Sequence, residues 1–334
     1  MKTKKKNILI IATGGTIASR QGDDGLMPSM NIDEILAYLP GIEEQYNIQM
    51  KDLFSLDSSN IQPEEWVEIA SSINDNYTNY DGIVVTHGTD TMAYTSSILT
   101  FILRNIPIPV VITGSQLPIS NFLTDAIDNL KLSLTFAATG IPGIFLAFNR
   151  KIMLGCRSVK VRTTGFDAFE SVNYPNVATL DSEGLNIDKK SIPKTKGEYS
   201  YKYNLCNDVF LIKLTPGLNP QIFDKLMELD YKGIVIEAFG IGGLHFIKRD
   251  LVSQLENLVR HNIPVVVSSQ CLYERSDFSI YQTGKVILNK GVIQAFDMTS
   301  EAAVTKLIWA LGQTDDMAKV KEFFEADFFG EITL

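Results

Sequence analysis

One stretch of the chain indicates the class of fold: Asp81-Gly82-Ile83-Val84-Val85-Thr86-His87-Gly88-Thr89-Asp90-Thr91-Met92. Its apolar run, residues 82–86, is continuous, as in parallel strands that are covered on both faces. Gly88 then marks a turn, and Thr89 and Asp90 follow where a helix is expected to begin. Ligands of open α/β sheets bind at the carboxyl ends of strands, so this junction is predicted to form part of a site.

A second junction of the same design opens the chain. Residues 8–12 are apolar, and Thr13-Gly14-Gly15-Thr16 follows them. The two glycines permit a turn that residues with a β-carbon resist. We predict that the two junctions face each other and present Thr16 and Thr89 to one small substrate.

Strands alternate with helices along most of the chain, which is typical of an α/β fold with a mostly parallel sheet. The predicted strands are 7–13, 48–56, 82–86, 108–113, 143–148, 209–214, 233–238 and 264–268. The predicted helices are 32–39, 63–76, 90–104, 125–138, 220–229 and 248–261, with two more that begin near residues 299 and 315. The polar segment 19–31 is predicted to be a mobile lid, and residues 151–171 are less regular.

The length of 334 residues suggests two domains. We predict a larger N-terminal α/β domain at 1–188, which carries the chemical motifs, and a smaller C-terminal α/β domain with a parallel sheet at 208–334. The polar, lysine-containing segment 189–207 is predicted to link them.

The composition is 45% hydrophobic and 21% charged, which is ordinary for a globular protein. A net charge of −9 disfavours a nucleic acid or an anionic membrane as partner. No apolar run reaches the length of a membrane span, and the basic start at residues 2–6 is predicted to be a solvated tail. Three widely spaced cysteines fit a reducing compartment, so we expect a cytoplasmic protein.

Several chemistries have little support in the sequence. The three histidines form no metal-binding spacing, and the glycine patterns of dinucleotide sites and phosphate-binding loops do not occur. No Gly-x-Ser-x-Gly elbow is present. We therefore expect no metal and no cofactor. His87, beside the predicted site, could relay a proton or could serve as a structural hydrogen-bonding group.

Four side chains are candidates for catalysis, and each has a simpler alternative. The hydroxyl of Thr16 could be a nucleophile if a base or a field activates it, or it could cap a turn. Asp90 is expected in the first turn of a helix, where it should remain ionised. Its carboxylate could hold an ammonium group or pair with a lysine. The alternative is that Asp90 and Thr89 only cap the helix. Lys160 is the one partner that the sequence offers, although spacing alone favours an exposed lysine.

A third loop offers small donors. Asp57-Ser58-Ser59 precedes a predicted helix, and hydroxyls and backbone amides at such a position suit a substrate carboxylate. The alternative is turn chemistry, because serine and aspartate initiate turns in any case.

Together and in this order, these motifs resemble the bacterial-type L-asparaginase family, which has the asparaginase/glutaminase fold. The matching segments are 12–18, 57–59, 87–92, 113–116 and Lys160, and the similarity continues through 297–299 to 330–333. The Asp57-Ser58-Ser59 loop and the segment 166–169 are similar to the cytoplasmic, type I branch.

The resemblance implies that L-asparagine and water give L-aspartate and ammonia. Thr16 matches the nucleophile that forms an acyl-enzyme, and Thr89 with the pair of Lys160 and Asp90 matches the group that moves or positions a proton or water. The substrate ammonium would lie on Asp90.

The resemblance also implies substrate-binding residues on three loops around these catalytic groups. They are Asp57, Ser58 and Ser59 for the carboxylate, and Gly88, Thr89 and Ser115, with backbone amides around Thr89 and Ser115 for the oxyanion. The family further implies a homodimer or homotetramer.

Some features depart from the family pattern and leave other functions open. Leu26 stands where many relatives have a lid tyrosine, and Gly243 stands where many have an asparagine. Both departures bear on substrate preference more than on the class of reaction. One alternative is the asparaginase-like subunit of a tRNA-dependent amidotransferase, although such subunits usually begin with an extension ahead of the first strand. Another is an amino-acid sensor on the same fold that lacks catalysis.

Overall fold

The computed structural model describes residues 4–22, 25–28, 32–278, 280 and 282–333. The chain divides into two compact units, Met1–Tyr201 and Lys202–Leu334, and the division falls within the predicted linker. Residues 200–201 pair with residues 103–104, and the side chain of Asn105 donates to the carbonyls of Lys196 and Glu198. Much of the segment 189–201 is therefore held against the first unit, and the domain ranges 1–188 and 208–334 remain our proposal.

The first unit is built around one large sheet. Its strands are β1 Lys6–Gly14, β2 Ser19–Gly22, β3 Gly25–Pro28, β4 Tyr46–Leu56, β5 Gly82–Thr86, β6 Leu103–Arg104, β7 Pro109–Thr113, β8 Gly143–Phe148, β9 Lys151–Leu154, β10 Ser158–Lys160, β11 Phe169–Ser171, β12 Ala178–Asp181, β13 Gly184–Ile187 and β14 Ser200–Tyr201. Its helices are α1 Ile32–Ala37, α2 Ile42–Gln45, α3 Pro63–Asn76, α4 Met92–Ile102 and α5 Ala126–Ala137.

The large sheet has the order β13-β12-β9-β8-β7-β5-β1-β4. The five strands from β8 to β4 run parallel, and β9, β12 and β13 extend the sheet with antiparallel pairs. β5, β7 and β8 are buried along their whole length, which explains their continuous apolar sequence. The predicted mostly parallel α/β architecture is confirmed.

The carboxyl ends of the central strands are fastened by threonines. Thr86 of β5 lies opposite Thr113 of β7 in the register. The hydroxyl of Thr13 donates to the Thr86 carbonyl at 2.8 Å, and that of Thr113 donates to the carbonyl of Ala147 at 2.9 Å. These buried bonds fix the relative heights of the strand ends from which the site loops depart.

The second unit holds a smaller parallel sheet in the order β15-β16-β17-β18. Its elements are β15 Val209–Lys213, α6 Ile222–Glu228, β16 Gly233–Ala238, α7 Leu251–Arg260, β17 Val265–Ser269, α8 Gln282–Asn289, β18 Ile293–Gln294, α9 Ser300–Gln313 and α10 Met317–Glu325. The alternation of strands and helices that the sequence predicts is thus present, and α8 and β18 were not predicted. Across the described parts of both units, no helix has the length and apolar character that a membrane span requires.

The predicted lid is described in part. Residues 19–22 and 25–28 form the antiparallel pair β2 and β3, whereas residues 23, 24 and 29–31 of the prediction lie outside the described residues. The less regular segment 151–171 is also structured, because it contains the short strands β9, β10 and β11. β10 and β11 pair antiparallel with each other, and Lys160 is the last residue of β10.

A fully buried ion pair fastens the end of the chain in the second unit. Lys306 of α9 donates to Glu331 at 2.6 Å and to the carbonyl of Ala326 at 2.8 Å. Glu331 also accepts the backbone N–H groups of Phe328 and Phe329. Burial raises the pKa of the Glu331 carboxyl, but the charge and hydrogen bond of Lys306 and these amides together hold that pKa below its ordinary value.

Replacing Lys306 by methionine should destabilise the fold strongly, because the Glu331 carboxylate would stay buried without its cation. We expect Lys306→Met to lower the free energy of unfolding by about 3–5 kcal/mol, as measured by urea denaturation. The matched control is Lys225→Met, which removes the exposed pair of Lys225 and Glu228 and should cost less than about 1 kcal/mol. Equal losses in the two variants would contradict the prediction.

Candidate active site

Three loops of the first unit meet where glycines allow their backbones to touch. Gly15 has a φ of +80°, and a β-carbon there would lie 2.5 Å from the Gly88 nitrogen. A β-carbon on Gly88 would in turn lie 2.6 Å from Ser58 Oγ. The turns after β1 and β5 and the loop after β4 therefore pack directly on one another.

Ser58 fastens the loop after β4 to the turn after β5. Its Oγ accepts the backbone N–H of Asp90 at 3.1 Å, and its carbonyl accepts the hydroxyl of Thr91 at 2.7 Å. These bonds hold the chain ahead of the helix, so α4 begins at Met92 with Thr91 as its N-cap residue. The prediction that Asp90 lies in the first turn of the helix is therefore wrong.

Lys160 joins the two polar groups that follow Gly88. Its Nζ lies 2.9 Å from Thr89 Oγ1 and 2.6 Å from Asp90 Oδ1. The lysine side chain is 18% exposed, so the exposed lysine favoured by spacing alone is wrong. The Asp90 side chain is 62% exposed, so it pairs with the lysine on one side and remains open to solvent on the other.

Thr16 begins a short 3-10 turn, Thr16–Ala18, and its side chain is half-buried. The contact of Gly15 with Gly88 brings the turn of Thr16 beside the turn of Thr89. The backbone thus juxtaposes the two threonine-bearing junctions, as the sequence analysis predicts.

The predicted loop Asp57-Ser58-Ser59 divides into different tasks. Asp57 Oδ1 accepts both the backbone N–H and the hydroxyl of Ser59, at 2.8 Å and 2.7 Å. These two bonds, the hydroxyl first, hold the pKa of the Asp57 carboxyl below its usual value. Asp57 and Ser59 therefore shape the turn, whereas Ser58 makes the contact with Asp90.

The turn after β7 is held by its own contacts. The Ser115 hydroxyl donates to the Leu117 carbonyl at 2.6 Å. Asp125 accepts the backbone N–H of Gln116 at 3.0 Å and that of Leu117 at 3.1 Å. The hydrogen of the Ser115 hydroxyl is therefore used within the turn, so toward a ligand Ser115 can donate only its backbone N–H.

Gln116 is a site residue that the sequence analysis missed. Its Nε2 donates to the carbonyls of Thr163 and Gly165, each at 3.1 Å. Its Oε1 lies 3.4 Å from Thr89 Oγ1, a long hydrogen bond that the hydroxyl donates. The residue stands in a quoted motif, but nothing in a single sequence connects its amide with Thr89.

His87 belongs to a closed, buried network. Its Nδ1 lies 2.6 Å from the Gly88 carbonyl and its Nε2 lies 2.9 Å from Thr95 Oγ1, which accepts the indole N–H of Trp66 at 3.1 Å. A carbonyl only accepts, so Nδ1 carries the hydrogen of a neutral ring. Burial lowers the pKa of His87 to about 4. Of the two roles left open above, this network favours the structural one.

The site is thus an assembly of hydroxyls around one ion pair. Ser58, Thr89, Asp90 and Lys160 are joined by hydrogen bonds, and the backbone brings the turn of Thr16 to them. Within the residues that the structure describes, no group of histidine, cysteine, aspartate and glutamate side chains is arranged to hold a metal ion. The arrangement can bind a small zwitterion and offer a threonine hydroxyl for attack.

Two family models match the chain. The model described as Asparaginase, N-terminal covers residues 7–193, and the model described as Glutaminase/Asparaginase C-terminal domain covers residues 208–324. The chain therefore belongs to the asparaginase family, and the resemblance drawn from the motifs is confirmed.

Known proteins show the same relationship. L-asparaginase of Thermococcus kodakarensis is 44% identical over 98% of this chain and 99% of its own length. The solved structure of the thermostable L-asparaginase from the same organism has a TM-score of 0.92 at 43% identity, covering 98% of this chain and 99% of that chain. L-asparaginase I from Vibrio cholerae has a TM-score of 0.90 at 31% identity, covering 99% and 100%. A glutamyl-tRNA(Gln) amidotransferase component of Methanosphaera stadtmanae is 35% identical over 98% of this chain and 77% of its own length.

Adding a methyl group at Gly15 should disrupt the contact between the two turns. Gly140 has a similar φ of +75° with no atom within 4 Å of its virtual β-carbon, so Gly140→Ala is the matched control for backbone strain alone. We expect Gly15→Ala to lower the free energy of unfolding by about 1–3 kcal/mol more than Gly140→Ala does. Chemical denaturation measures both losses, and equal losses would show that the close approach to Gly88 carries no stability.

The buried His87 should make the fold sensitive to acid. Below its ordinary pKa of 6.5 the unfolded histidine takes up a proton that the folded one refuses, so stability falls as pH falls toward about 4. We expect wild-type protein to lose up to about 1.4 kcal/mol per pH unit more than His87→Gln over this range. Denaturation curves between about pH 7 and pH 4 measure the slopes. His261→Gln, at an exposed histidine, is the control, and a His87→Gln slope equal to that of wild type would refute the prediction.

Proposed function

We propose that this chain is an L-asparaginase, a hydrolase that converts L-asparagine and water into L-aspartate and ammonia. The observation that carries the proposal is the position of Lys160 Nζ, within hydrogen-bond distance of both Thr89 Oγ1 and Asp90 Oδ1. The turn of Thr16 lies beside this group. The 44% identity to an L-asparaginase over 98% of the chain supports the same function.

The substrate would be held by its two charged ends. The Asp90 carboxylate, open to solvent on one side, binds the α-ammonium, because a carboxylate accepts several hydrogen bonds and Lys160 uses one position. The Ser58 oxygen accepts from the Asp90 amide and keeps its own hydrogen to donate to the α-carboxylate. Asp57 and Ser59 hold this loop in shape, and Gly88 lets Ser58 pack against the turn after β5, where the substrate would be held.

The chemistry proceeds in two steps. Thr16 Oγ attacks the side-chain carbonyl carbon, a C–O bond forms, the C–N bond breaks, and the hydroxyl proton leaves with the nitrogen as ammonia. Water then attacks the ester, the C–O bond to Thr16 breaks, and a proton returns to the threonine. Backbone N–H groups of Thr89 and Ser115 stabilise the oxyanion in both steps. Thr89, supported by Lys160 and Asp90, positions the water and receives its hydrogen bond.

The amidotransferase alternative shares much of this chemistry, because its glutaminase reaction also breaks a side-chain amide. The higher identity to L-asparaginase, 44% against 35%, and the fuller coverage of that relative, 99% against 77%, favour the hydrolase. Transfer of ammonia to a charged tRNA in the presence of a second protein would favour the alternative. Tight asparagine binding without turnover would favour the sensor.

Assembly and location complete the proposal. We expect a homodimer or homotetramer in the cytoplasm, with no nucleic-acid or membrane partner. Phe122 and Leu123 are 98% and 69% exposed on the loop ahead of α5, and adjacent apolar side chains in water support association. The three widely spaced cysteines, Cys156, Cys206 and Cys271, and a net charge of −9 are consistent with this setting. Sedimentation of the purified protein measures the assembly.

Removing any of three groups should abolish ammonia release from L-asparagine. We expect Thr16→Ala, Thr89→Val and Lys160→Met each to lower kcat by about 10³-fold or more, because nucleophilic attack and proton transfer lose a participating group. The matched controls are Thr179→Val on β12 and Lys131→Met on α5, both at exposed positions, which should retain wild-type rates.

Ammonia release from L-asparagine, L-glutamine and D-asparagine is the assay for wild-type protein and variants. Circular dichroism establishes that each variant is folded. Full activity of folded Thr16→Ala would remove the nucleophile from this proposal, and an inactive wild-type protein would refute the function itself.

A further inference from the structure

We infer that Gln116 is a positioning residue for the proposed hydrolysis, because it sets the direction in which the Thr89 hydroxyl points its hydrogen. This inference rests on the function proposed above and adds a residue to which the family resemblance gave no role. Gln116 lies on the turn after β7, and its side chain reaches both Thr89 and the loop that follows Lys160.

The orientation of the Gln116 amide is fixed by its surroundings. A primary amide has two hydrogens on nitrogen, and here they meet the carbonyls of Thr163 and Gly165 at 3.1 Å each. A flipped amide would turn its oxygen toward two carbonyl oxygens and lose both bonds. The oxygen therefore faces Thr89, where it can only accept.

The fixed amide in turn fixes the Thr89 hydroxyl. Its hydrogen points to Gln116 Oε1, and one lone pair accepts from Lys160 Nζ at 2.9 Å. One lone pair remains for a hydrogen of the attacking water. Gln116 thus keeps Thr89 an acceptor toward Lys160 and the water, and the length of 3.4 Å makes the contact weak enough to open when the proton moves.

A role limited to holding the loop is the main competing explanation. That loop has a second support, since Arg162 contacts Asp167 at 3.1 Å and Glu170 at 3.0 Å. Loss of the Gln116 bonds should therefore leave the loop anchored by Arg162. Arg162→Lys, which keeps the charge but loses the forked geometry, weakens this other anchor and serves as the matched control.

Few charged groups on the neighbouring elements face Lys160. Asp90 pairs with it, and α4, which packs against β10, carries no charged residue. β11 carries Glu170, which is paired with Arg162. Asp125 lies on the other side of Gln116 and binds its backbone. A carboxylate at position 116 would therefore act on Lys160 chiefly as one added negative charge.

Two substitutions of Gln116 test the inference. Gln116→Met fills a similar volume without hydrogen bonds, and we expect kcat to fall about tenfold while KM changes less than about threefold. Gln116→Glu keeps an acceptor for the Thr89 hydroxyl but loses both donors to the Thr163 and Gly165 carbonyls. We expect its kcat to lie about threefold or more above that of Gln116→Met, because the acceptor for Thr89 remains.

The outcomes separate the inference from the proposed function. A purely anchoring role predicts that Gln116→Glu, which also loses both loop bonds, has the same kcat as Gln116→Met, and that Arg162→Lys lowers kcat as much as they do. If wild type is active and Thr89→Val is not, equal kcat values of Gln116→Glu and Gln116→Met overturn the inference. If Gln116→Glu does not fold, a Gln116→Met kcat within twofold of wild type, roughly the precision of such rates, overturns it instead. An inactive wild type or an active Thr89→Val would overturn the proposed function and this inference with it.

Discussion

The close approach of the backbones at Gly15 and Gly88 is the constraint on which the site depends. β1 and β5 are neighbours in the sheet, and the Thr13 hydroxyl on the Thr86 carbonyl fixes their ends at the same height. The turns that follow can meet because Gly15 has no β-carbon. A side chain at Gly15 would push the two threonine-bearing turns apart, whereas one at Gly88 would displace Ser58 of the loop after β4.

The other half of the site comes from the antiparallel part of the first unit. After β8 the chain reverses into β9, and the short pair β10 and β11 carries Lys160 at its end. The lysine reaches across to the turn after β5, so groups 70 and 71 residues apart in sequence become one hydrogen-bonded unit. Gln116 connects the turn after β7 to the same unit. Each strand end supplies one part of the candidate site, and the sheet sets the distances between the parts.

The parallel core could be predicted from the sequence because its strands are continuously apolar and end at glycine turns. The strands 82–86, 143–148 and 233–238 have their predicted bounds. β9 to β13 have three or four residues each, too few to show a period, so the segment 151–171 was predicted only as less regular and β12 and β13 were not predicted. Asp90 was misplaced because the bonds to Ser58 delay the helix, and Gln116 was missed because its partners are distant in sequence. The role of Lys160 came from the family resemblance, since spacing alone favours an exposed lysine.

The exposure of the ion pair suggests how binding and catalysis are connected. Lys160 is mostly covered, whereas the Asp90 side chain is 62% exposed, so one carboxylate faces the lysine and the solvent at once. In the proposed reaction the substrate ammonium binds to this same carboxylate. Two cations then share one anion, so substrate binding and the positioning of Lys160 use the same carboxylate. In the proposed reaction this shared carboxylate disfavours turnover of amides that lack an α-ammonium group.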